Sequence, residues 1–592
     1  MKNAIILFAI TISILFPFSS CEDAMGDFLE KPPGIDFTED DAFSSKTQLD
    51  LFMNSIYNFG IHSNLCYFSN DYNYDIINDM GTLTAGATDE AETCASWYDT
   101  QKINSGSLNS DNVDREDTRF SSRWICIRKI TVLFDRIGDV PDIDDTYQKQ
   151  LIAEARCIRA MNYFEMLRRY GGVPIVQERI QLDGELQIPR NSVEDVVKFI
   201  LDDCEAAYTD LPPHQLGAQR GKVHKGVALA IKANTLLLAA SPLINTDVPY
   251  MNLGVNNNLI CYGNYDQSRW ALAADAAKAV LDWAASNACH LIKDQGVDAN
   301  YRYTWEVYDN AEIILAEKGQ DFRGTWTWPW CAISPPNLYP GSSGQSGITP
   351  LLNHVKKYEK KDGQTQLWNA DGGNDLQQKM AELDPRFHQT IAYNQSIWNT
   401  EKGKMEIYYK NEDEKVEEGG RDVSTCYGGF WLHKHFPAAI NNTNYGMIPN
   451  STIYQLNEYY LAYAEALNEA NKAPNQDAYD AVNEIRRRSG MPDLPVGLGY
   501  EEFQKRVRNE RAVELAFDNH RLWDVRRWMI AEEEGVMAGN MWGIKIYKIE
   551  GSSEFRYKPY VFETRSFPRR MYLIPFPTTE VNKGYLVQNP GY

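Results

Sequence analysis

Apolar residues recur at helical spacing along much of the chain. After Gln150, apolar and small side chains fall on one helical face as far as Leu167, and Gly171-Gly172 ends the pattern. Ser192 is a predicted N-cap for the next helix, because an Asp follows three residues later in the place of the usual Glu of a capping box. These segments predict a protein built mainly from helices.

Three further segments predict helices that pack in pairs. Residues 225–240 are rich in Ala and Leu, and small side chains let two helices approach closely. One apolar stripe covers 456–467 and a second covers 478–485, before a glycine. Helical pairs of roughly 34 residues are the unit of tetratricopeptide repeats, although the repeat in this chain is degenerate. The pattern therefore predicts a mainly α fold with a tetratricopeptide-like scaffold of helical pairs.

Two long regions lose the helical pattern. Residues from about 64 to 112 and from about 294 to 450 are rich in Gly, Asn, Ser, Pro and Trp. We interpret both regions as loop-rich insertions on the helical scaffold. Because loops displayed by a rigid scaffold usually carry binding groups, these insertions are the predicted ligand-binding regions.

The N-terminus has the pattern of a lipoprotein signal. A basic start precedes an apolar run from Ala4 to Phe18, which is too short for a comfortable transmembrane span, and small serines lead to Cys21. Bacterial lipoprotein signals place a cysteine at the cleavage point, where its thiol is acylated. The sequence predicts a signal peptide over residues 1–20 and one domain over 21–592, held on a membrane outside the cytoplasm. An ordinary signal followed by a chance cysteine is the alternative.

Composition narrows the classes of partner. The formal net charge is −22, which argues against nucleic acid and anionic membrane surfaces because both need clustered Lys and Arg. No Cys-x-x-Cys pair occurs, which argues against a zinc ribbon, and no cofactor or metal is predicted. Besides Cys21 the chain has an odd number of cysteines, so at least one is unpaired or bonded to another chain.

Aromatic residues in the insertions fit a carbohydrate site. Sugars present flat C–H faces and many hydroxyl groups, so a site needs aromatic platforms with polar groups at their edges. Three tryptophans at alternate positions lie on one face at roughly 6.8 Å intervals if their segment is extended. The predicted ligand contacts are Trp97, Trp326, Trp328, Trp330, Asp99 and Asn70. The alternative is that one or two of these tryptophans fill the core.

A series of short motifs follows the order of a known family over nearly the whole chain. They include Cys21, Asp27-Phe28-Leu29-Glu30, Ala153-Glu154-Ala155-Arg156, Tyr170-Gly171-Gly172-Val173-Pro174, Tyr463-Ala464-Glu465-Ala466, Glu514-Leu515-Ala516-Phe517 and Gln588-Asn589-Pro590-Gly591-Tyr592. On these motifs the chain resembles the SusD/RagB nutrient-binding lipoproteins. It departs from the family pattern at Gln455 and Asn457, where Arg and Ala are usual.

The resemblance implies a function in nutrient uptake. It implies a lipid-anchored protein on the exterior of the outer membrane that captures an oligosaccharide or polysaccharide and passes it to a SusC-like TonB-dependent transporter, without catalysis. Trp97 lies where the family's N-terminal binding loop carries an aromatic residue. Glu22 and Asp23, which follow the acylated cysteine, resemble the acidic signal that sends such lipoproteins to the outer face. A peptide-binding transporter accessory of the RagB type is an alternative.

Two clusters of titratable residues raise the alternatives of catalysis and metal binding. A glycoside hydrolase on a helical scaffold would need two carboxylates about 5 to 10 Å apart in a cleft. The first cluster comprises Glu510, Arg511, Glu514, Arg521, Asp524 and Arg526. Its regular helical spacing predicts an ion network of the scaffold instead. His433 and His435 share a predicted strand face, but no third metal ligand is evident, so we predict a packing role.

Overall fold

Helices form about 45% of the structure, which confirms the predicted mainly α class. The computed structural model describes residues 38–61, 83–113, 117, 119–181, 184, 186–317, 333–339, 342, 344, 346–411, 418–441 and 450–592. Within these ranges, no helix combines the length and the apolar character that a membrane crossing requires.

The helices are numbered in chain order. Those before residue 290 are α1 (Glu39–Ala42), α2 (Lys46–Gly60), α3 (Thr100–Asn104), α4 (Phe120–Arg136), α5 (Asp145–Tyr170), α6 (Val193–Asp210), α7 (Lys225–Ala240) and α8 (Ser268–Ser286). Those after it are α9 (Asn300–Glu306), α10 (Leu352–Val355), α11 (Leu376–Glu382), α12 (Pro385–Thr390), α13 (Leu456–Asn471), α14 (Gln476–Arg488), α15 (Tyr500–Glu514), α16 (Arg521–Arg527) and α17 (Thr578–Val581).

Long helices pack side by side to form the scaffold. α5 packs against α6, α6 against α7 and α7 against α8, so each helix contacts the next one along the chain. α8 then packs against α13, which also contacts α14 and α15. The apolar faces of these helices form the first core, in which Leu151, Tyr163 and Ile231 are buried. This arrangement confirms the predicted scaffold of helical pairs.

Local signals set the ends of these helices as the sequence predicts. The Asp195 N–H donates to Ser192 Oγ at 3.1 Å and the Ser192 N–H donates to Asp195 Oδ2 at 3.3 Å, which completes the predicted capping box of α6. α5 ends before Gly171, whose φ of 76° lies in the left-handed region that favours glycine. A side chain at this position would also clash, because its Cβ would lie 2.5 Å from the Leu259 carbonyl oxygen.

The strands pair in twos within the described residues. They are β1 (Ala91–Thr93), β2 (Ile313–Glu317), β3 (Ile348–Pro350), β4 (Ile391–Ala392), β5 (Trp431–Leu432), β6 (Ser451–Gln455), β7 (Gly539–Lys548) and β8 (Phe555–Arg565). β1 pairs with β3, β2 with β6, β4 with β5 and β7 with β8, all antiparallel. The β7–β8 hairpin is not among the elements predicted from the sequence. It forms because Ile544 and Ile546 alternate along β7, Phe555 and Tyr557 alternate along β8, and all four side chains pack in the second core.

The loop-rich insertions and the hairpin share a second core. Between residues 294 and 450 the helices that the structure describes have only four to seven residues. Buried side chains of this region, such as Trp431, pack in one cluster with Tyr98 of the first insertion and Ile544 of the hairpin. The two insertions therefore meet on this second core.

The cysteines of the described ranges lie inside the protein. All seven are buried free thiols, which confirms that at least one cysteine is unpaired. Burial raises the pKa of the Cys94 and Cys157 thiols far above its usual value. Because the thiolate is the reactive form, these cysteines act as apolar core residues.

Candidate ligand-binding site

Trp97 is the predicted ligand contact that the structure places at the surface. Among the tryptophans in the described ranges, it alone has an exposed side chain, with 47% of its area accessible. It lies in the loop between β1 and α3, and its ring is tilted by 43° against that of Tyr98, with 5.7 Å between the centroids. Tyr98 is buried in the second core, so the exposed ring packs on a fixed neighbour. An exposed ring of this kind can stack on the C–H face of a sugar.

Buried polar contacts fix the Trp97 loop. The Arg565 guanidinium, at the end of β8, forms an ion pair with Glu92 of β1. From the other flank of the loop, the side-chain amides of Gln101 and Asn104 in α3 donate to Glu92 at 2.6 and 3.2 Å. Glu92 therefore connects β1, α3 and the hairpin at the two ends of the loop that carries Trp97.

Burial dominates the electrostatics of Glu92. It raises the pKa of the carboxyl to about 7, although the positive charge of Arg565 acts in the opposite direction. Both carboxylate oxygens accept hydrogen bonds from the protein. Glu92 is thus a supporting residue of the loop, and its oxygens are not available to a ligand.

Asp99, the predicted polar neighbour of Trp97, is engaged within the protein. Its carboxylate pairs with Lys102 at 2.7 Å across the first turn of α3, and 15% of its side chain is accessible. It precedes α3 without capping the helix. The pairing with Lys102 leaves fewer lone pairs for sugar hydroxyl groups, and the role of Asp99 as a ligand contact stays a prediction.

The other predicted contacts lie outside the described residues. They are Asn70 in the first insertion and Trp326, Trp328 and Trp330 in the second. Cys21, the predicted lipid attachment site, also lies outside the described ranges. The roles of these five residues stay predictions.

An aromatic pair at the hairpin is not among the predicted ligand contacts. Tyr427 stacks on Phe562 of β8, with 6.0 Å between the ring centroids and 14° between the planes. The thiol of Cys94, three residues before Trp97, donates to the backbone carbonyl two residues before Tyr427 at 3.4 Å. The period-two pattern of the hairpin was a signal for Phe562. No local pattern in the sequence indicates that Tyr427 lies beside Phe562, because the two residues come from segments that are distant along the chain.

The charged cluster forms the predicted ion network. The Arg386 guanidinium donates to Glu510 at 2.6 Å and to Glu514 at 2.9 Å. Burial alone would raise the pKa of Glu514, but Arg488 and Arg386 outweigh it and lower the pKa to about 2. A carboxyl group held ionised in this way cannot serve as a general acid at neutral pH. The interpretation as a scaffold network is confirmed.

The two departures from the family pattern join the same network. The Asn457 side-chain amide donates to Glu514 at 2.6 Å, and the Gln455 amide donates to Asp518 at 3.3 Å. Both residues stand at the start of α13. Each side-chain amide therefore supplies a hydrogen-bond donor to a carboxylate that is largely shielded from water.

His433 and His435 are buried residues of the second core. The His433 ring lies 4.4 Å from the ring of Trp398, and Nε2 of His435 lies 3.2 Å from the Phe517 carbonyl oxygen. Burial lowers the pKa of His433 to about 3. In the part of the chain that the structure describes, no group of three or more His, Cys, Asp or Glu residues is arranged to hold a metal ion.

Comparison with known proteins matches nearly the whole chain to one family. The model of the SusD family matches residues 298–592, and a model described as starch-binding and associating with the outer membrane matches residues 27–233. A SusD-like protein of Bacteroides ovatus is 24% identical over 547 residues, which are 89% of this chain and 83% of that protein.

Solved structures share the fold. The crystal structure of a SusD-like protein from Bacteroides fragilis has a TM-score of 0.73 and 24% identity, and covers 93% of this chain and 98% of that chain. A laminarin-binding SusD-like protein has a TM-score of 0.60 and 18% identity, and covers 93% of this chain and all of that chain. At these identities the likeness establishes the fold alone.

Proposed function

The chain belongs to the SusD/RagB family, and on this premise we propose that it is a glycan-binding protein of the cell surface. It captures an oligosaccharide or polysaccharide and delivers it to a SusC-like TonB-dependent transporter. An acylated Cys21 anchors it to the outer membrane, facing the exterior. The words starch-binding and outer membrane in one family description, and the laminarin-binding neighbour, support a glycan as the ligand.

The observation that carries this proposal is the exposed ring of Trp97 on an anchored loop. A sugar that stacks on the ring removes apolar surface from water, which contributes about 1 to 3 kcal/mol for an important ring. Because Glu92 and Arg565 fix the loop before a ligand arrives, binding loses little conformational entropy there. These features favour capture of a ligand with flat apolar faces.

The second insertion extends the platform in this proposal. Trp326, Trp328 and Trp330 supply further stacking surfaces, with Asn70 and Asp99 as polar contacts at the edges. The support for these residues is the alternation of the three tryptophans and the polar, Gly-rich composition of the insertions.

Binding without hydrolysis is the other part of the proposal. Retaining and inverting glycosidases need a carboxylic acid whose pKa is raised beside a second carboxylate. At the Trp97 loop the pKa of Glu92 is raised, but its carboxylate is buried and bonded to Arg565, Gln101 and Asn104, which keeps it from a substrate. In the charged cluster, Arg386 and Arg486 lower the pKa of Glu510 against the effect of its burial. This supports a protein that passes the glycan on unchanged.

A titration panel tests the proposal. Protein that starts after Cys21 is titrated calorimetrically with soluble glycans and with peptides, and the glycan solutions are analysed for shorter products after long incubation. We expect binding of at least one glycan, no binding of peptides and no products. Peptide binding with no glycan binding would favour the RagB-type accessory, and shorter products would favour a hydrolase.

A further inference from the structure

A small cavity lies inside the helical scaffold. Its wall is formed by side chains of α4, α5, α7, α13, α15 and α16, by β6 and by the residue before α4. Among the described residues, none of the Trp97 loop lines it. Its volume of about 90 Å³ has room for several water molecules or for one small ion. The polar groups of the wall therefore decide what the cavity binds.

Arg119 brings a buried charge into this wall. It is the residue before α4, and only 5% of it is exposed. Within the described ranges, its guanidinium forms no ion pair, and its Nη1 has no hydrogen-bond partner. Burial lowers the pKa of Arg119 to about 10, against the attraction of Glu317 at the end of β2. A buried cation without a direct partner costs stability, because the interior solvates it less well than water does.

The carboxylates near Arg119 are engaged with other cations. Glu165 of α5 pairs with Arg169 at 2.5 Å, one turn further along the same helix. Asp117, two residues before Arg119, forms a buried ion pair with Arg123 of α4. In the part of the chain that the structure describes, the protein therefore supplies Arg119 with no counterion in direct contact.

Three further donors of the wall are also unsatisfied. Nη1 of Arg511, Nε1 of Trp523 and the hydroxyl of Tyr454 are buried and have no hydrogen-bond partner among the described residues. The other side of the Arg511 guanidinium is fixed, because its Nε donates to Asp524 at 3.0 Å. A wall that offers N–H and O–H donors suits a ligand that supplies oxygen acceptors, and a charged oxygen makes the strongest bonds with a guanidinium.

One acceptor in the wall distinguishes between oxyanions. Glu458 of α13 is 3% exposed and lines the cavity, and no described residue donates a hydrogen bond to its Oε2. Phosphate at neutral pH carries at least one proton that it can donate to such an oxygen, whereas sulfate carries none. The lining therefore favours phosphate over sulfate.

We propose that the anion cavity, defined as the cavity lined by Arg119, Tyr454, Glu458, Arg511 and Trp523, binds a phosphate ion whose oxygens accept hydrogen bonds from Arg119. The ion supplies the negative charge that the protein does not place beside this guanidinium. It stabilises the folded scaffold, because the unfolded chain has no such site. This role is independent of glycan capture, since the cavity and the Trp97 loop share no described residue.

Thermal unfolding with added salts tests the proposal. Protein that starts after Cys21 is dialysed free of phosphate and sulfate, and its melting temperature is measured as inorganic phosphate, sulfate or chloride is added at constant ionic strength. We expect phosphate to raise the melting temperature, sulfate to raise it less and chloride to leave it unchanged. R119M should bind phosphate at least about tenfold more weakly in a calorimetric titration, since it removes a charge-assisted contact. Without phosphate it should melt no lower than the parent, because an apolar side chain replaces a buried unpaired charge.

Two further variants separate the site from general charge and from misfolding. K149Q removes an exposed positive charge of α5 and should respond to phosphate as the parent does. R119Q keeps a polar side chain and provides the same comparison as R119M if the latter does not fold. The proposal is wrong if phosphate raises the melting temperature of the parent no more than sulfate or chloride does. It is also wrong if a folded Arg119 variant binds phosphate as tightly as the parent.

Discussion

Single residues have separate roles at the candidate site. Trp97 presents its ring to solvent, whereas Glu92 and Arg565, which hold the ends of its loop, are buried. Contact and support thus depend on different side chains. A substitution at Glu92 or Arg565 should therefore affect ligand binding by changing the position of the Trp97 loop.

We expect Arg565→Gln to lower both stability and glycan affinity. The change removes the guanidinium that donates to the buried Glu92 carboxylate and to the Thr88 and Ala91 carbonyls, which should reduce the free energy of unfolding by about 3 kcal/mol. The loosened loop should also bind glycan more weakly. Chemical denaturation and calorimetric titration check the two effects. Arg487→Gln, which breaks an exposed ion pair with Asp493 that solvent screens, should change neither quantity appreciably. An Arg565 variant as stable as the parent would contradict the anchoring role.

At the scale of single residues, the sequence predicts which type of residue contacts the ligand. It does not predict the buried residues that hold the loop of that contact residue. A Trp in a polar, Gly- and Asn-rich segment is a recognisable candidate for an exposed platform. Arg565 and Glu92 are 473 residues apart, so no local pattern connects them. The sequence around Asp99 does not show its pairing with Lys102, because this pairing depends on the helix that begins between the two residues.

Whole elements are joined by buried ion pairs. Arg488 in α14 pairs with Glu312 at 3.1 Å, and Arg386 in α12 pairs with Glu510 in α15 at 2.6 Å. These pairs hold helices of the scaffold against the short elements of the loop-rich region. Because they are buried, their stability depends on the ionised state of the carboxylates.

Stability should fall in acid through Glu514. Its pKa is about 2 in the folded protein, against 4.5 for an unperturbed Glu, so the unfolded chain binds more protons between these values. The stabilisation from this group is complete above pH 4.5 and is lost as the pH falls towards 2. Glu514→Gln should cost about 3 to 5 kcal/mol at neutral pH and should flatten this part of the pH dependence, as measured by chemical denaturation across the acidic range.

A surface ion pair provides the control for Glu514. Asp202 pairs with Lys198 at 2.5 Å, and both side chains are exposed. Asp202→Asn should leave the free energy of unfolding nearly unchanged, because solvent screens such a pair. Equal losses in the two variants would show that burial does not strengthen the network.

At the element scale, long periodic segments were predictable and short ones were not. The capping box at Ser192 and the stripes of α13 and α14 are visible in the sequence because helices of this length repeat their pattern several times. β4 and β5 have two residues each, too few to show a period. The β7–β8 hairpin does alternate, but its outer face also carries aromatic residues, which weakens the contrast between the faces.

At the scale of the whole molecule, the helical scaffold and the region of the proposed glycan site have separate hydrophobic cores. The first core belongs to the long helices, and the second core unites both insertions with the hairpin. Trp97 packs on Tyr98 of the second core. The proposed glycan site therefore belongs to the second core and not to the core of the long helices.

Cys21→Ser tests the attachment. The hydroxyl of serine is not acylated by the lipoprotein pathway, so the variant should lose its membrane anchor. We expect it in a soluble or inner-membrane fraction, without labelling by protease or antibody added to intact cells. Undiminished surface labelling of the variant would contradict the lipoprotein assignment.

Calorimetric titration of Trp97→Ala with a glycan that the parent binds tests the central claim most directly. Tyr265→Ala is the control, because Tyr265 is 52% exposed on the helical scaffold, away from the second core. The account predicts that Trp97→Ala weakens binding by about 1 to 3 kcal/mol with an unchanged fold, and that Tyr265→Ala binds like the parent. A Trp97→Ala variant that binds every tested glycan as tightly as the parent would contradict it.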